Sequence, residues 1–263
     1  MPTHLDDILA AHRARAAEDQ RDLDALIETA IHTPAPLDFT AALAVPGLSC
    51  IAEVKRRSPS KGDLDPELQP ELIAKEYVAG GAVCLSVLTD SPHFGGSEAD
   101  LKAARQASGL PVLRKDFTVQ EADVVDARIM GADAVLLIAA ALSDAELTRF
   151  AQRAAELGLA ALVEVHDDAE LDRALQAGAT LIGVNQRDLR TFEVDHDRAC
   201  ALAARIPTSA IAVAESGIRG ADDARRLAES GYDAILVGET LVRAGDRTAA
   251  LGTLIGHPVS ARG

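Results

Sequence analysis

The chain has 263 residues, 48% hydrophobic, 25% charged and 3% aromatic, enough to bury one large core or two small ones. Acidic residues outnumber basic ones 41 to 26, a formal charge of −15, which argues against a general nucleic-acid or anionic-membrane surface because both would repel it. No apolar run approaches the roughly 20 residues that span a bilayer, and Met1 to Asp7 lack a basic-then-apolar leader, so a cytoplasmic protein, expected to be a monomer, is predicted. Cys50, Cys84 and Cys200 are too few and too odd in number for a disulfide framework, and each lies among apolar neighbours where burial of a reduced thiol is expected.

At the N-terminus, Leu5, Ile8 and Leu9, then Leu23, Leu26 and Ile27, have helical spacing, and Pro34 and Pro36 interrupt the chain before Pro46-Gly47. So few apolar residues cannot make an independent core, so residues 1–47 are predicted to be a helical extension packed on the rest, residues 48–263. The first predicted strand is Cys50-Ile51-Ala52-Glu53-Val54. A unit then recurs: an Ala-rich helical segment ends at Gly, and a short apolar, largely β-branched run follows. It appears at Gly80-Gly81 before Ala82–Val87, at Gly131 before Ala134–Ile138, at Gly158 before Ala161–Val165, at Gly178 before Leu181–Asn185, and at Gly231 before Ala234–Gly238. Pro111–Arg114 and Ala210–Ala214 bring the strands to eight. Ser143-Asp144-Ala145-Glu146 reads as a capping box opening a helix to about Leu157, and Asp167 or Asp168 caps the next. Continuously apolar strands suit a parallel sheet covered on both faces, so the pattern predicts an α/β protein: a (β/α)8 TIM barrel with an N-terminal helical extension. A doubly wound open sheet is the architectural alternative.

In a barrel, chemistry lies at the C-terminal strand ends. Those ends carry Glu53-Val54-Lys55, Lys115-Asp116-Phe117, Glu164, Asn185-Gln186-Arg187, Glu215-Ser216-Gly217 and Gly238-Glu239. Charges among apolar residues are costly to bury unless paired or used. Only five of the 26 basic residues are lysines, and two of those, Lys55 and Lys115, occupy strand ends. Lys gives up a proton where Arg does not, which points to proton chemistry; plain pairing with Glu53 or Glu164 is the competing reading. The glycines in Glu215-Ser216-Gly217-Ile218 and Leu236-Val237-Gly238-Glu239, after strands seven and eight, have the form of a barrel phosphate cradle. His166 and Asp233 read as loop and turn residues. His93, His196 and the other histidines have no ligand spacing with Cys or carboxylates, so no metal site is expected.

These residues, together with the segment from Ile51 through Ser58-Pro59-Ser60-Lys61-Gly62, Leu88-Thr89-Asp90 leading to Phe94-Gly95-Gly96-Ser97, and Asn185-Gln186-Arg187-Asp188-Leu189, make the chain resemble the indole-3-glycerol phosphate synthase family of tryptophan biosynthesis from the extension to the last strand. The resemblance implies a lyase without cofactor or metal that takes a phosphorylated, anionic small molecule. Its substrate is 1-(o-carboxyphenylamino)-1-deoxyribulose 5-phosphate, and ring closure, loss of CO2 and dehydration yield indole-3-glycerol phosphate. By resemblance, Lys115 is the general acid at the ketone oxygen, and Lys55 and Glu53 polarise the same region. Glu164 stabilises the cationic ring intermediate and acts in dehydration, Asn185 hydrogen-bonds, and Glu215 and Ser216 stand at the rim. Ser216, Gly217, Gly238 and Glu239, with Lys55, match the phosphate cradle. Arg187 and Ser58 match the site for the anthranilate carboxylate, and Pro59, Phe94, Phe117, Leu136 and Leu189 match the apolar slot for the ring.

A positive mouth from Lys55, Lys115 and Arg187 is expected to offset the global charge. Glu239 departs from the family pattern, so only its backbone N–H is credited to phosphate binding and its carboxylate is expected to point away; Gln186 occupies a variable position. A phosphoribosyl isomerase on the same barrel is the nearest rival. That chemistry needs a Cys or Asp acid–base pair where this chain offers Glu53, Lys55 and Lys115. A non-catalytic binding barrel is the rival from another class, and it has no reason to keep both lysines opposite Glu164.

Overall fold

The computed structural model describes residues 4–59, 61–187 and 193–262. Three helices precede the first strand: α1 (His4–Glu18), α2 (Leu23–Ile31) and α3 (Phe39–Leu43). Asp22 and Asp38 cap the second and third by accepting from backbone N–H groups of their first turns. Ile8 of α1 and Ala30 of α2 are buried, and α3 buries Phe39 and Leu43 completely.

Eight parallel strands follow: β1 (Ser49–Val54), β2 (Cys84–Leu88), β3 (Val112–Lys115), β4 (Ala134–Ile138), β5 (Ala160–Val165), β6 (Leu181–Asn185), β7 (Ile211–Glu215) and β8 (Ala234–Val237). Each pairs with its neighbours in sequence, and β1 pairs with both β2 (Ile51 opposite Cys84) and β8 (Cys50 opposite Ile235), so the sheet closes. Closure excludes the open doubly wound sheet. The crossovers are α4 (Pro70–Gly80), α5 (Ser91–Phe94) with α6 (Glu98–Ser108), α7 (Glu121–Met130), α8 (Asp144–Glu156), α9 (Asp168–Gln176), α10 (His196–Ala203) and α11 (Ala221–Glu229); α12 (Glu239–Val242) and α13 (Arg247–Gly252) complete the ring. Both arms of the predicted capping box form at Ser143 and Glu146, and Asp167 rather than Asp168 caps α9.

The strands are apolar on both faces because each face meets a different core. Cys50, Ala52 and Val54 point outward to the helices, whereas Ile51 points into the barrel with Cys84, Leu113, Leu136, Leu162, Val213 and Leu236. Phe39 and Leu43 of α3 belong to that inner cluster. Side chains alternate along a strand. The residue two places beyond an inward apolar one therefore also points inward, one layer nearer the C-terminal mouth. That rule carries Ile51 to Glu53, Leu113 to Lys115, Leu162 to Glu164 and Val213 to Glu215.

Three features were not expected from sequence: the short helices α5 and α12, and a two-residue hairpin pairing Arg57–Ser58 with Gly62–Asp63 after β1. Ala82, Val83, Pro111 and Ala210 lie just outside the strands predicted to contain them, and Gly238 caps α12 rather than ending β8. Asp233 does more than turn the chain. Its carboxylate accepts from Ala212 N–H at 2.8 Å, as Asp133 accepts from Val112 N–H at 2.8 Å, each stitching the foot of one strand to the one before it. Cys50 and Cys84 are buried, and Cys200 is only partly so.

Candidate active site

A cavity of about 640 Å3 opens at the C-terminal mouth of the barrel, and the described candidates converge on it. Glu53, Lys55, Lys115, Glu164, Asn185, Glu215 and Ser216 line it, with Ser58, Pro59, Phe94, Phe117, Leu136, Arg187, Gly217, Gly238 and Glu239. Leu189, and with it Ser60 and Asp188 of the family-like segments, lie outside the described residues.

Lys115 is the hub. Its Nζ lies 3.0 Å from Glu164 Oε2 and 2.7 Å from Glu215 Oε2, and both carboxylates are at most 3% exposed. Burial alone would lower the ammonium's pKa, but Glu164, Glu215 and Glu53 outweigh it and hold Lys115 above the ordinary lysine range. One ammonium between two buried carboxylates splits them. Burial pushes the Glu215 carboxyl up, with Lys115 only partly countering it, whereas Lys115, His166 and the amide of Asn185 overcome burial at Glu164 and hold it well below the usual range. Asn185 Nδ2 donates to Glu164 Oε1 at 3.2 Å while its Oδ1 accepts from Arg187 N–H at 3.1 Å, so one amide orients both neighbours. Across the barrel, Lys55 pairs with Glu53, whose other oxygen is 3.5 Å from Ser86 Oγ.

Glycines make room for these charges. A Cβ on Gly183 would lie 2.1 Å from Glu215 Oε1, and one on Gly238 would lie 2.3 Å from Glu53 Oε1 and 3.1 Å from Lys55 Nζ. Ser216 is the one described non-glycine residue with positive φ (67°), and Gly217 follows at 71°. Positive φ at a non-glycine residue is strained, so the turn after β7 has to be held by its surroundings. Gln186 braces this turn: its Nε2 donates to Ser216 O at 2.8 Å, and its Oε1 lies 2.7 Å from His196 Nδ1. Gln186 thus has a structural task, bracing the turn after the neighbouring strand.

The apolar wall is formed by Phe94 and Phe117, with ring centroids 6.4 Å apart, together with Leu136 and Pro59. Leu5 and Ile8 of the extension join the lining, so α1 belongs to the site, a role that helical spacing alone did not reveal. His12 fixes α1 there: its Nε2 is 2.8 Å from Asp90 Oδ2, and His93 Nδ1 is 3.1 Å from the same oxygen. Burial opposes ionisation of Asp90, but the hydrogen bonds from His12 and His93 hold it well below the usual carboxylate range. These three are the one set among the described residues that brings three metal-type donors within 4.8 Å, and the donors already satisfy one another. Sequence spacing missed the set because residues 12 and 90 meet only in the fold.

Charge in the cavity is layered. Glu53, Glu164, Glu215, Asp90 and Asp116 are buried in the floor, while Lys61, Arg187, Arg219 and Arg243 stand at the rim. The expected positive mouth is therefore a positive rim over an acidic floor, and Arg219 and Arg243 are cations the sequence reading did not count. Glu239 lies among this rim, 4.0 Å from Lys61 Nζ, 3.8 Å from Arg187 Nη2 and 3.9 Å from Arg243 Nε.

A closed parallel barrel with paired lysines and carboxylates at its C-terminal mouth defines a (β/α)8-barrel enzyme built for acid–base work. The family model for indole-3-glycerol phosphate synthase matches residues 5–254. Indole-3-glycerol phosphate synthase 2 of Streptomyces coelicolor is 52% identical over 231 residues, 88% of this chain and 90% of its own, and the synthase of Mycolicibacterium vanbaalenii is 48% identical over 97% of this chain and 96% of its own. The chain belongs to the indole-3-glycerol phosphate synthase family. Among solved structures, a thiamine phosphate pyrophosphorylase from Pyrococcus furiosus aligns with TM-score 0.60 at 21% identity over 79% of this chain and 93% of that one, and the structure titled native KDPGal with 0.56 at 18% over 79% and 92%. These two likenesses concern the barrel fold alone.

Proposed function

We propose the following division of labour for the family's reaction, in which 1-(o-carboxyphenylamino)-1-deoxyribulose 5-phosphate closes its ring, loses CO2 and loses water to give indole-3-glycerol phosphate in tryptophan biosynthesis. Family membership sets aside the phosphoribosyl isomerase alternative. The aniline nitrogen already makes the ring carbon nucleophilic, so the protein has to bring ring and ketone together and supply protons in order. Lys115 gives its proton to the ketone oxygen as the ring attacks, Lys55 with its partner Glu53 polarises the same region and assists the later proton transfer to the departing hydroxyl, and Glu164 stabilises the cationic intermediate and then acts in dehydration. Asn185 orients Glu164. Glu215, the more proton-retaining of the two carboxylates at Lys115, is buried in the floor beside it rather than at the expected rim, where Ser216 stands. Ser216, Gly217, Gly238 and the Glu239 N–H, with Lys55, hold the phosphate. Arg187 and Ser58 hold the anthranilate carboxylate, while Pro59, Phe94, Phe117, Leu136 and Leu189 seat the ring.

The observation that carries this reading is Lys115 suspended between Glu164 and Glu215 at 3.0 and 2.7 Å inside a cavity about 640 Å3 in volume. No step changes oxidation state overall, so the side chains supply all the chemistry required and no cofactor or metal is invoked. Incubating the purified protein with the substrate and a chelator, and following indole fluorescence with CO2 release, tests it: turnover is expected, and a folded, silent sample overturns it. We further propose that residues 1–47 and 48–263 act as one unit, supported by Phe39 and Leu43 filling the inner core. A cytoplasmic monomer without nucleic-acid or membrane partners is proposed from the charge of −15; no described helix is long and apolar enough to cross a membrane. Sedimentation velocity checks the monomer.

A further inference from the structure

His166 leaves the strand two residues after Glu164 and is almost wholly buried. Its two ring nitrogens have different surroundings. Nδ1 lies 3.0 Å from Glu170 Oε2, the same oxygen that accepts from the His166 backbone N–H at 2.7 Å. Glu170 is itself held in the first turn of α9, where its N–H donates to the capping Asp167 at 2.9 Å. The other nitrogen, Nε2, is buried without a hydrogen-bond partner and lies 3.6 Å from Glu164 Oε1. An orphaned buried nitrogen is uncommon and asks for a reason. The carboxylates acting on the ring are Glu164 on β5, Glu170 on α9 and Glu215 on β7, and the Lys115 ammonium of β3 sits on the other oxygen of Glu164. Burial works against the imidazolium, but the three carboxylates together favour it.

That placement matters once Lys115 reacts. In the step proposed above, an N–H bond of Lys115 breaks, the proton passes to the ketone oxygen, and a neutral amine is left behind. Glu164 and Glu215 then lose the cation between them. Lys55 is engaged with Glu53. We propose that His166, aimed by Glu170, is a positioning residue for Glu164: its Nε2–H closes the 3.6 Å gap as Lys115 is discharged and keeps Glu164 ionised and oriented for dehydration. In this role His166 passes no proton to the substrate and touches neither substrate nor reacting atoms. The inference rests on the acid and base roles given to Lys115 and Glu164.

The test combines His166→Leu, His166→Gln and Glu164→Gln, with kcat and KM followed against pH, and a nitrogen-resolved NMR titration of the His166 ring in the native protein and in Glu170→Gln. His166→Leu is expected to lower kcat about tenfold, leave KM within about twofold and move the acid limb of kcat to higher pH, because a carboxylate without its neighbouring cation protonates more readily. His166→Gln, which retains a donor, is expected to recover part of kcat, and Glu170→Gln to lower the pH at which the ring titrates. Unchanged kcat and acid limb in His166→Leu, while Glu164→Gln abolishes turnover, overturns the inference alone. Equal loss in the Leu and Gln variants with an unmoved pH profile overturns it too, as does an unmoved ring titration in Glu170→Gln, which needs no His166 variant to fold. Near-normal turnover in Glu164→Gln instead brings down the site reading and the inference with it.

Discussion

Lys115 is a poor acid in the resting site, since three carboxylates hold its proton tightly. The arrangement makes sense if the anionic substrate enters a pocket whose lysine is certain to be charged, and if the developing ketone oxyanion then competes with Glu164 and Glu215 for the proton. Lys115→Met is accordingly expected to abolish turnover while changing substrate affinity by less than about tenfold, measured by steady-state kinetics beside equilibrium binding. Glu215 offers a second test. Its carboxyl is pushed up to about 7 from 4.5, so the folded chain binds this proton more tightly than the unfolded chain does. Its contribution to stability is therefore complete below pH 4.5 and is lost as pH rises through about 7. Denaturant titrations of the parent and Glu215→Gln should diverge across that interval, with the variant flat where the parent loses stability. Gly183→Ala puts a methyl where Glu215 Oε1 lies 2.1 Å away, and a fall in kcat without unfolding is expected.

The elements that carry these residues are held by local devices legible in sequence. The capping box at Ser143 is complete, with Glu146 N–H donating to Ser143 Oγ and the Glu146 carboxylate accepting from Ser143 N–H at 2.9 Å. Ser143→Ala should cost about 1 kcal/mol in chemical denaturation, with kcat untouched. By contrast, α3 is five residues long, too short to persist on its Asp38 cap alone, and is held chiefly by Phe39 and Leu43 filling the barrel's inner core. Phe39→Ala should cost about 3–5 kcal/mol, several times the loss of the cap. Helix α1 is the element whose function the sequence hid. Its apolar residues read as packing, yet Leu5 and Ile8 line the cavity and His12 ties it to Asp90.

Across the whole molecule, the net charge of −15 works against an anionic substrate, while the rim cations Lys61, Arg187, Arg219 and Arg243 meet it first. The near field is weighted by short distance, and remote charges are screened beyond about 8–10 Å at moderate salt. Raising ionic strength should therefore lower kcat/KM; a rise would mean that the global field dominates.

Repetition of helix, Gly and apolar strand determined the (β/α)8 architecture, because a strand buried on both faces and a capped amphipathic helix are each written in neighbouring residues. The same logic made Glu53, Lys55, Lys115, Glu164 and Glu215 visible as strand-end charges, and Asn185 as a polar side chain beside them. What only the tertiary structure decided is who faces whom. Glu164 and Glu215 share Lys115 although 49 and 100 residues separate them from it, Gly183 clears space for a carboxylate on the next strand, Gln186 braces the Ser216 turn, and His12 meets Asp90. Closure of the barrel creates these meetings, and distances across a closed sheet depend on register and tilt summed over all eight strands, which no single segment of sequence encodes.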